Sequence, residues 1–242
     1  MHEPTIATPA AEAPLITPEP GVGLADDPRA LQILTTEHWS LLSARGLAYN
    51  EAFTRAGMFL AFLSMSFVGL ALLAQAMGFS RDFLVVVAIV LSFDLLIGVV
   101  IVRRIAGTGG DDLRALHGMN RIRHGYVEIA PHLAPYFVTG THDDPASVLL
   151  HYGPTGNSTL GELVYGLSTS FGMAGMITSL VAGLLGGVVT LALDGSGWWA
   201  IGVGTLVTLV TFALIARWAF AEAARNRAAL PVLFPAPYDP GK

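Results

Sequence analysis

Cysteine is absent from the 242 residues, which excludes disulfides, thiolate metal sites, iron-sulfur clusters and a cysteine nucleophile, and leaves the redox state of the compartment unmarked. Charge is scarce as well. Only 13% of the side chains are Asp, Glu, Lys or Arg, against about 25% in an ordinary soluble protein. The net charge of -5 offers no basic surface for nucleic acid. No Walker loop, Gly-x-Ser-x-Gly elbow or His-Glu-x-x-His occurs, so neither a phosphate cradle nor a familiar hydrolytic arrangement presents itself, and an enzyme is not expected. None of the seven histidines lies in a long apolar run, so a bis-histidine haem carrier would lack its ligands and no cofactor is expected.

What the chain has in quantity is apolar length. Hydrophobic residues make up 53% of it and the mean hydropathy is +0.59. Four runs, 57–78, 83–102, 171–193 and 198–220, reach the roughly 20 residues that a hydrocarbon core of about 30 Å requires. The first two are joined only by Phe79-Ser80-Arg81-Asp82 and the last two only by Asp194-Gly195-Ser196-Gly197, so two tight hairpins are expected. The expected fold class is an all-α integral membrane protein: four transmembrane helices in two hairpins, with a helical cytoplasmic domain between them. Its parts are a disordered tail (1–27), an interfacial helix (28–56), hairpins at 57–102 and 171–220, a helical segment (103–170) and a C-terminal tail (221–242).

Positive charge sets the direction, because Lys and Arg flanks stay inside. Twelve of the thirteen Lys and Arg residues lie on the side of the termini and the central segment, and Arg81 alone sits in a short turn. Both termini are therefore expected in the cytoplasm, and the lipid is that of the cytoplasmic membrane. No Lys or Arg occurs between Arg123 and Arg217, so the third run is oriented mainly by its partner. Trp198 and Trp199 at one face and Trp218 at the other suit the aromatic belts. The N-terminal tail carries five acidic residues, five prolines and no Lys or Arg, and lacks the basic start and short apolar core of a secretory signal.

Asp27-Pro28 reads as an N-cap followed by proline at the first helical position, and the pattern then runs without a breaker to the membrane, a helix leading into the first apolar run. Trp39, Leu42, Gly46, Tyr49, Phe53 and Ala56 step by three and four, a stripe expected to pack on the bundle or the lipid interface. Gly107-Thr108-Gly109-Gly110 is expected to stop the second helix, and Asp111-Asp112 to cap a new one that Pro131 ends. On that helix Ala115, Met119, Ile122, Tyr126 and Ile129 form an apolar stripe that wants a partner. His117, Arg121, His124 and Glu128 form a polar one, offset by two residues or about 200 degrees. The polar stripe reads as a solvated face, with pH sensing by His117 and His124 as the sharper alternative. His142, Asp143 and His151 make the one cluster with metal-ligand chemistry, but Asp144 before Pro145 is already explained as a helix cap, so no metal site is expected. Thr159-Leu160-Gly161-Glu162 reads as a capping box.

Two features belong to the membrane interior. Gly175, Ser179, Gly183 and Gly187 recur every fourth residue, a small-residue face for close helix contact. Asp94 stands in the middle of the run 83–102, where a carboxyl group must be neutralised, paired or hydrated. Hydroxyls of Ser64, Ser66, Thr208 or Thr211 are its expected partners, and an ion or proton its expected client. The function that follows is a homo-oligomeric channel-like or transport protein, since four helices enclose little of an aqueous path alone. The alternative is an accessory or scaffold subunit whose cytoplasmic helices bind another membrane protein.

Overall fold

The computed structural model describes residues 23–149, 151 and 166–237. The Thr159–Glu162 capping box and the N-terminal tail up to residue 22 lie outside them. The described residues are all-helical, with no strand. Helix α1 (Ala30–Met77) begins later than Asp27-Pro28 suggests: the N-cap position is Arg29, which makes no side-chain cap, and the Asp27 carboxylate accepts from the Arg29 amide at 2.9 Å in the turn before the helix. It ends at Gly78, whose φ of 62° is the left-handed conformation glycine adopts without penalty. Ser80 then caps α2 (Arg81–Ile129) by accepting from the Phe83 amide at 3.2 Å. Pro131 has no amide hydrogen to continue the ladder, so α2 stops there and a 3-10 turn follows at Pro131–Tyr136. Short α3 (Pro145–Leu149) leads to α4 (Ser170–Ala192) and α5 (Gly197–Ala228).

The run Gly107-Thr108-Gly109-Gly110 does not stop the second helix, and Asp111-Asp112 does not cap a new one: α2 is continuous for 49 residues. Each mid-helix glycine costs about 1 kcal/mol relative to alanine. That is outweighed where the helix is clamped on both sides, by buried Ile105 before the glycines and buried Ala115 and Leu116 after them. Gly110 has a packing reason of its own, because a Cβ there would come 2.8 Å from Asn226 Nδ2 near the end of α5. Helix α5 likewise runs past residue 220, through what reads in sequence as tail.

At about 1.5 Å per residue, α1 and α2 are each more than 70 Å long, over twice the thickness of a hydrocarbon core. All four long helices contain a stretch long and apolar enough to cross a membrane. They pack as a row. Helix α1 lies along α2, α2 along α4, and α4 along α5, while among the described residues α1 and α5 share no extensive interface. The apolar windows of α1 and α5 are accordingly only 11% and 6% buried, against 28% and 39% for α2 and α4. Leu63 and Leu70 of α1, Phe83, Val87 and Leu91 of α2 and Val181 of α4 form one core cluster. Ala52, Val102, Ile105 and Ala174 form a second.

Beyond its apolar half, α1 divides its stripe, with Tyr49 and Ala56 on the side of α2 and Trp39 and Phe53 on the outer side. Leu34 and Leu41 pack on Gly125 and Gly118, and His38 stacks on Tyr126 at 5.9 Å between centroids. Trp39 and Phe53 point outward, each 63% exposed. The register is set by Asp112, which draws Arg45 and Tyr49 toward α2.

Candidate functional site

Along α2 the buried positions Val87, Leu91, Asp94, Gly98, Val102 and Ile105 step by three and four. This is the seam of an inner helix. Asp94 occupies the middle of that seam and is 1% exposed. Its Oδ1 accepts from Ser66 Oγ of α1 at 3.0 Å, while Oδ2 is buried and has no hydrogen-bond partner. Among the described residues Ser66 is its one hydrogen-bond donor, and no cationic side chain pairs with it. A mid-span carboxyl group is expensive to bury, about 2.5–3.5 kcal/mol when charged on insertion scales, and one hydroxyl offsets only part of that.

Of the four hydroxyls expected around Asp94, Ser66 alone arrives. Ser64 is exposed and bonds back to the Leu60 carbonyl at 2.8 Å. Thr208 bonds to the Gly204 carbonyl at 3.0 Å, and neither it nor Thr211 reaches Asp94, because both belong to the far edge of the row. A group with no signal in the sequence stands one turn away. A Cβ on Gly98 would come 2.7 Å from Thr178 Oγ1 and 3.0 Å from Phe59 Cζ, so Gly98 leaves the room in which α1, α2 and α4 meet closely. Thr178 is fully buried and donates to the Ala174 carbonyl at 2.8 Å. Toward the other side, Phe62, Ser66 and Gly69 of α1 and Val90, Phe93 and Asp94 of α2 line a groove of about 440 Å³.

The small-residue face runs along α5. Beta carbons on Gly175, Gly183 and Gly187 would meet Ile215 Cγ2 at 3.3 Å, Thr208 Oγ1 at 1.9 Å and the Ala200 carbonyl at 3.2 Å. Ser179 is buried between them and donates to the Gly175 carbonyl at 2.7 Å. The close contact thus lies within the chain, between α4 and α5.

The polar half of α2 carries a second constellation, and its polar stripe is not a solvated face. His117 is buried, Arg121 donates to Asp143 at 2.8 Å, and His124 stacks on Phe234 with 4.4 Å between centroids. The cover is the segment after α5. Fully buried Asp143 accepts from the Leu233 and Phe234 amides at 2.9 and 2.8 Å, and its own amide donates to the Phe234 carbonyl at 3.1 Å. Asp144 caps α3 through the Ser147 amide at 3.0 Å and accepts from the Ala236 amide at 3.1 Å. His142, Asp143 and His151 therefore do not converge as ligands. Asp143 is committed to holding the C-terminal segment, the His151 Nε2 faces Arg123 at 2.8 Å, and the described residues include no metal-holding group of His, Asp and Glu. The apolar stripe of this half, by contrast, is packed: Ala115, Met119 and Ile122 are buried, and Met119 joins Leu116 and Val148 in a core with Leu41 and Leu113 alongside.

The electrostatics follow from this packing. Burial holds His38, His117 and His151 below the ordinary histidine range. For His38 and His151 the Arg123 guanidinium adds to it, and for His117 the Asp143 carboxylate opposes it. Burial pushes Asp143 upward, but the hydrogen bonds from Leu233, Arg121 and Phe234 outweigh it and hold the group below the usual carboxylate range.

Comparison with protein families, with curated proteins and with solved structures finds no match.

Proposed function

We propose that this protein is a transport or channel-like protein of the cytoplasmic membrane, assembled from copies of itself, with Asp94 as the ion or proton site. In this reading the two pairs α1–α2 and α4–α5 cross the membrane as hairpins. Both termini and residues 103–170 form the cytoplasmic side, in line with the partition of positive charge. The observation that carries the proposal is the carboxyl group itself: 1% exposed, mid-run, with one oxygen on Ser66 and the other unpartnered. A packing residue would be expected to satisfy both oxygens, whereas an incompletely satisfied acid in an apolar interior is a functional default. The row of helices supports self-assembly, since a row closes around nothing without further copies.

Asp94→Asn keeps the shape and removes the titrating proton. The mutant is expected to fold and assemble like the parent and to lose flux, or its pH dependence, in proteoliposomes. Flux through a conducting parent that is untouched by Asp94→Asn overturns the proposal.

A second reading, an accessory or scaffold subunit, is favoured by the outward face of α1 beyond its apolar half. There Trp39, Leu47 and Phe53 are 63%, 71% and 63% exposed. The mass of the solubilised particle separates the two: self-assembly supports transport, and a monomer that copurifies with another membrane protein supports the scaffold.

A further inference from the structure

We propose that the groove between α1 and α2 binds a lipophilic ammonium, an amine carried on an apolar tail or ring system, with its N–H at Asp94 Oδ2. Its role as a transported substrate rests on the reading above, but the binding itself does not. The acid end of the groove lacks one thing, a donor. Among the described residues Oδ2 is buried and unpartnered, Oδ1 is taken by Ser66, and no cation accompanies the carboxyl group. An ammonium supplies the donor and the opposite charge together, the strongest class of hydrogen bond available to a carboxylate.

The remaining walls select against a bare metal ion. A hard cation such as calcium takes 6–8 oxygen ligands, and the side chains lining this groove offer oxygen only from Ser66 and Asp94. Leu70, Leu73, Val86 and Val90 instead suit a hydrocarbon tail. Phe62 and Phe93, 40% and 59% exposed, line the groove with the acid and supply the aromatic rings that attract a cation. The groove is walled on one side by the outermost helix of the row, which meets lipid in this reading, and a Cβ on Gly69 would have nothing within 4 Å. Entry from the membrane is thereby matched to a ligand that partitions there.

The probe is a primary alkylamine bearing a dansyl group at its far end, with its N-acetyl derivative as the uncharged control. Binding is read as fluorescence anisotropy on the full chain in lipid nanodiscs against empty nanodiscs. Saturable binding of the amine to the parent is expected, and it should weaken by about tenfold or more in Asp94→Asn, the loss that follows when one charge-assisted hydrogen bond goes. Gly69→Leu is expected to weaken it as well by filling the groove, since the open space at that position lets the variant fold. The acetylated probe should show no excess over empty nanodiscs. No excess for the amine, or binding indifferent to both Asp94→Asn and Gly69→Leu, overturns the proposal. If such a parent still conducts protons in an Asp94-dependent way, the transport reading survives and this ligand class alone is wrong.

Discussion

Gly183→Ala adds one methyl group at the closest point between α4 and α5. Its carbon would lie 1.9 Å from Thr208 Oγ1 and 2.5 Å from the Gly204 carbonyl oxygen. The threonine could rotate away, at the cost of its 3.0 Å bond to that same carbonyl. The carbonyl is backbone and cannot. Ordinary carbon-to-oxygen contact begins near about 3.3 Å, so the helices must separate locally by roughly 1 Å. Overpacking of this kind costs about 1–3 kcal/mol. Two neighbours calibrate the expectation. A Cβ on Gly187 would be 3.2 Å from the Ala200 carbonyl, so Gly187→Ala asks for only a few tenths of an ångström of movement. Gly202 has nothing within 4 Å, so Gly202→Ala should be neutral or gain up to about 1 kcal/mol of helix propensity. Unfolding in mixed detergent, followed by tryptophan fluorescence, should rank stability as Gly202→Ala at or above the parent, then Gly187→Ala, then Gly183→Ala. If Gly183→Ala unfolds together with Gly202→Ala, the α4–α5 contact is not as close as described and the reasoning fails.

Lowering the pH from about 7 to about 5 should reduce the thermal midpoint. His38, His117 and His151 are all held below the ordinary range, so below about pH 6.5 the unfolded chain binds protons that the folded one refuses, and stability present above that pH is lost on the way down; a flat midpoint across this window counts against it. Asp143→Asn strands Arg121 and loosens the segment after α5, for about 3 kcal/mol, the low end for a buried pair because Arg121 keeps 30% exposure. Trypsin should then cut after Arg227 faster than in the parent, and equal rates would show that the segment is held by other means. Ile122→Asp, at a residue only 6% exposed, should lower the melting temperature, and a parent-like melt would mean that the stripe tolerates water. A cysteine at Ser196 should react with an impermeant thiol reagent on intact cells and one at Ser158 should not; the reverse pattern would invert the topology.

Length and hydropathy suffice to find the four apolar helices, because a run of about 20 uncharged residues has few other uses. The ends were legible where the signal is local: Gly78 at positive φ and Pro131 after α2 act through their own backbone, and Asp144 before Pro145 through a carboxylate that reaches only three residues on. The glycine run at 107–110 misled because its compensation, Asn226 against Gly110, lies more than a hundred residues away. His124 and Arg121 misled in the same manner, since the cover that buries them comes from residues 231–236. At Asp94 the need for a hydroxyl was legible but not which one. Ser66 and Thr208 are equivalent as side chains, and only the order of helices in the row decides between them. Thr178 against Gly98 carried no signal at all, since neither residue is unusual in an apolar helix.

The row has a consequence for how the molecule is made. Every long helix packs on the long helix synthesised immediately before it, so each one leaving the translocon finds its partner already waiting, and no early helix has to stay open for a late arrival. A closed bundle would need its first and last helices to pack together; among the described residues α1 and α5 share no extensive interface. Biogenesis can therefore proceed strictly from the N-terminus, with the α1–α2 pair complete before α4 exists. The chain should then tolerate being divided between α2 and α4, and two separately translated halves should reassemble along the α2–α4 seam.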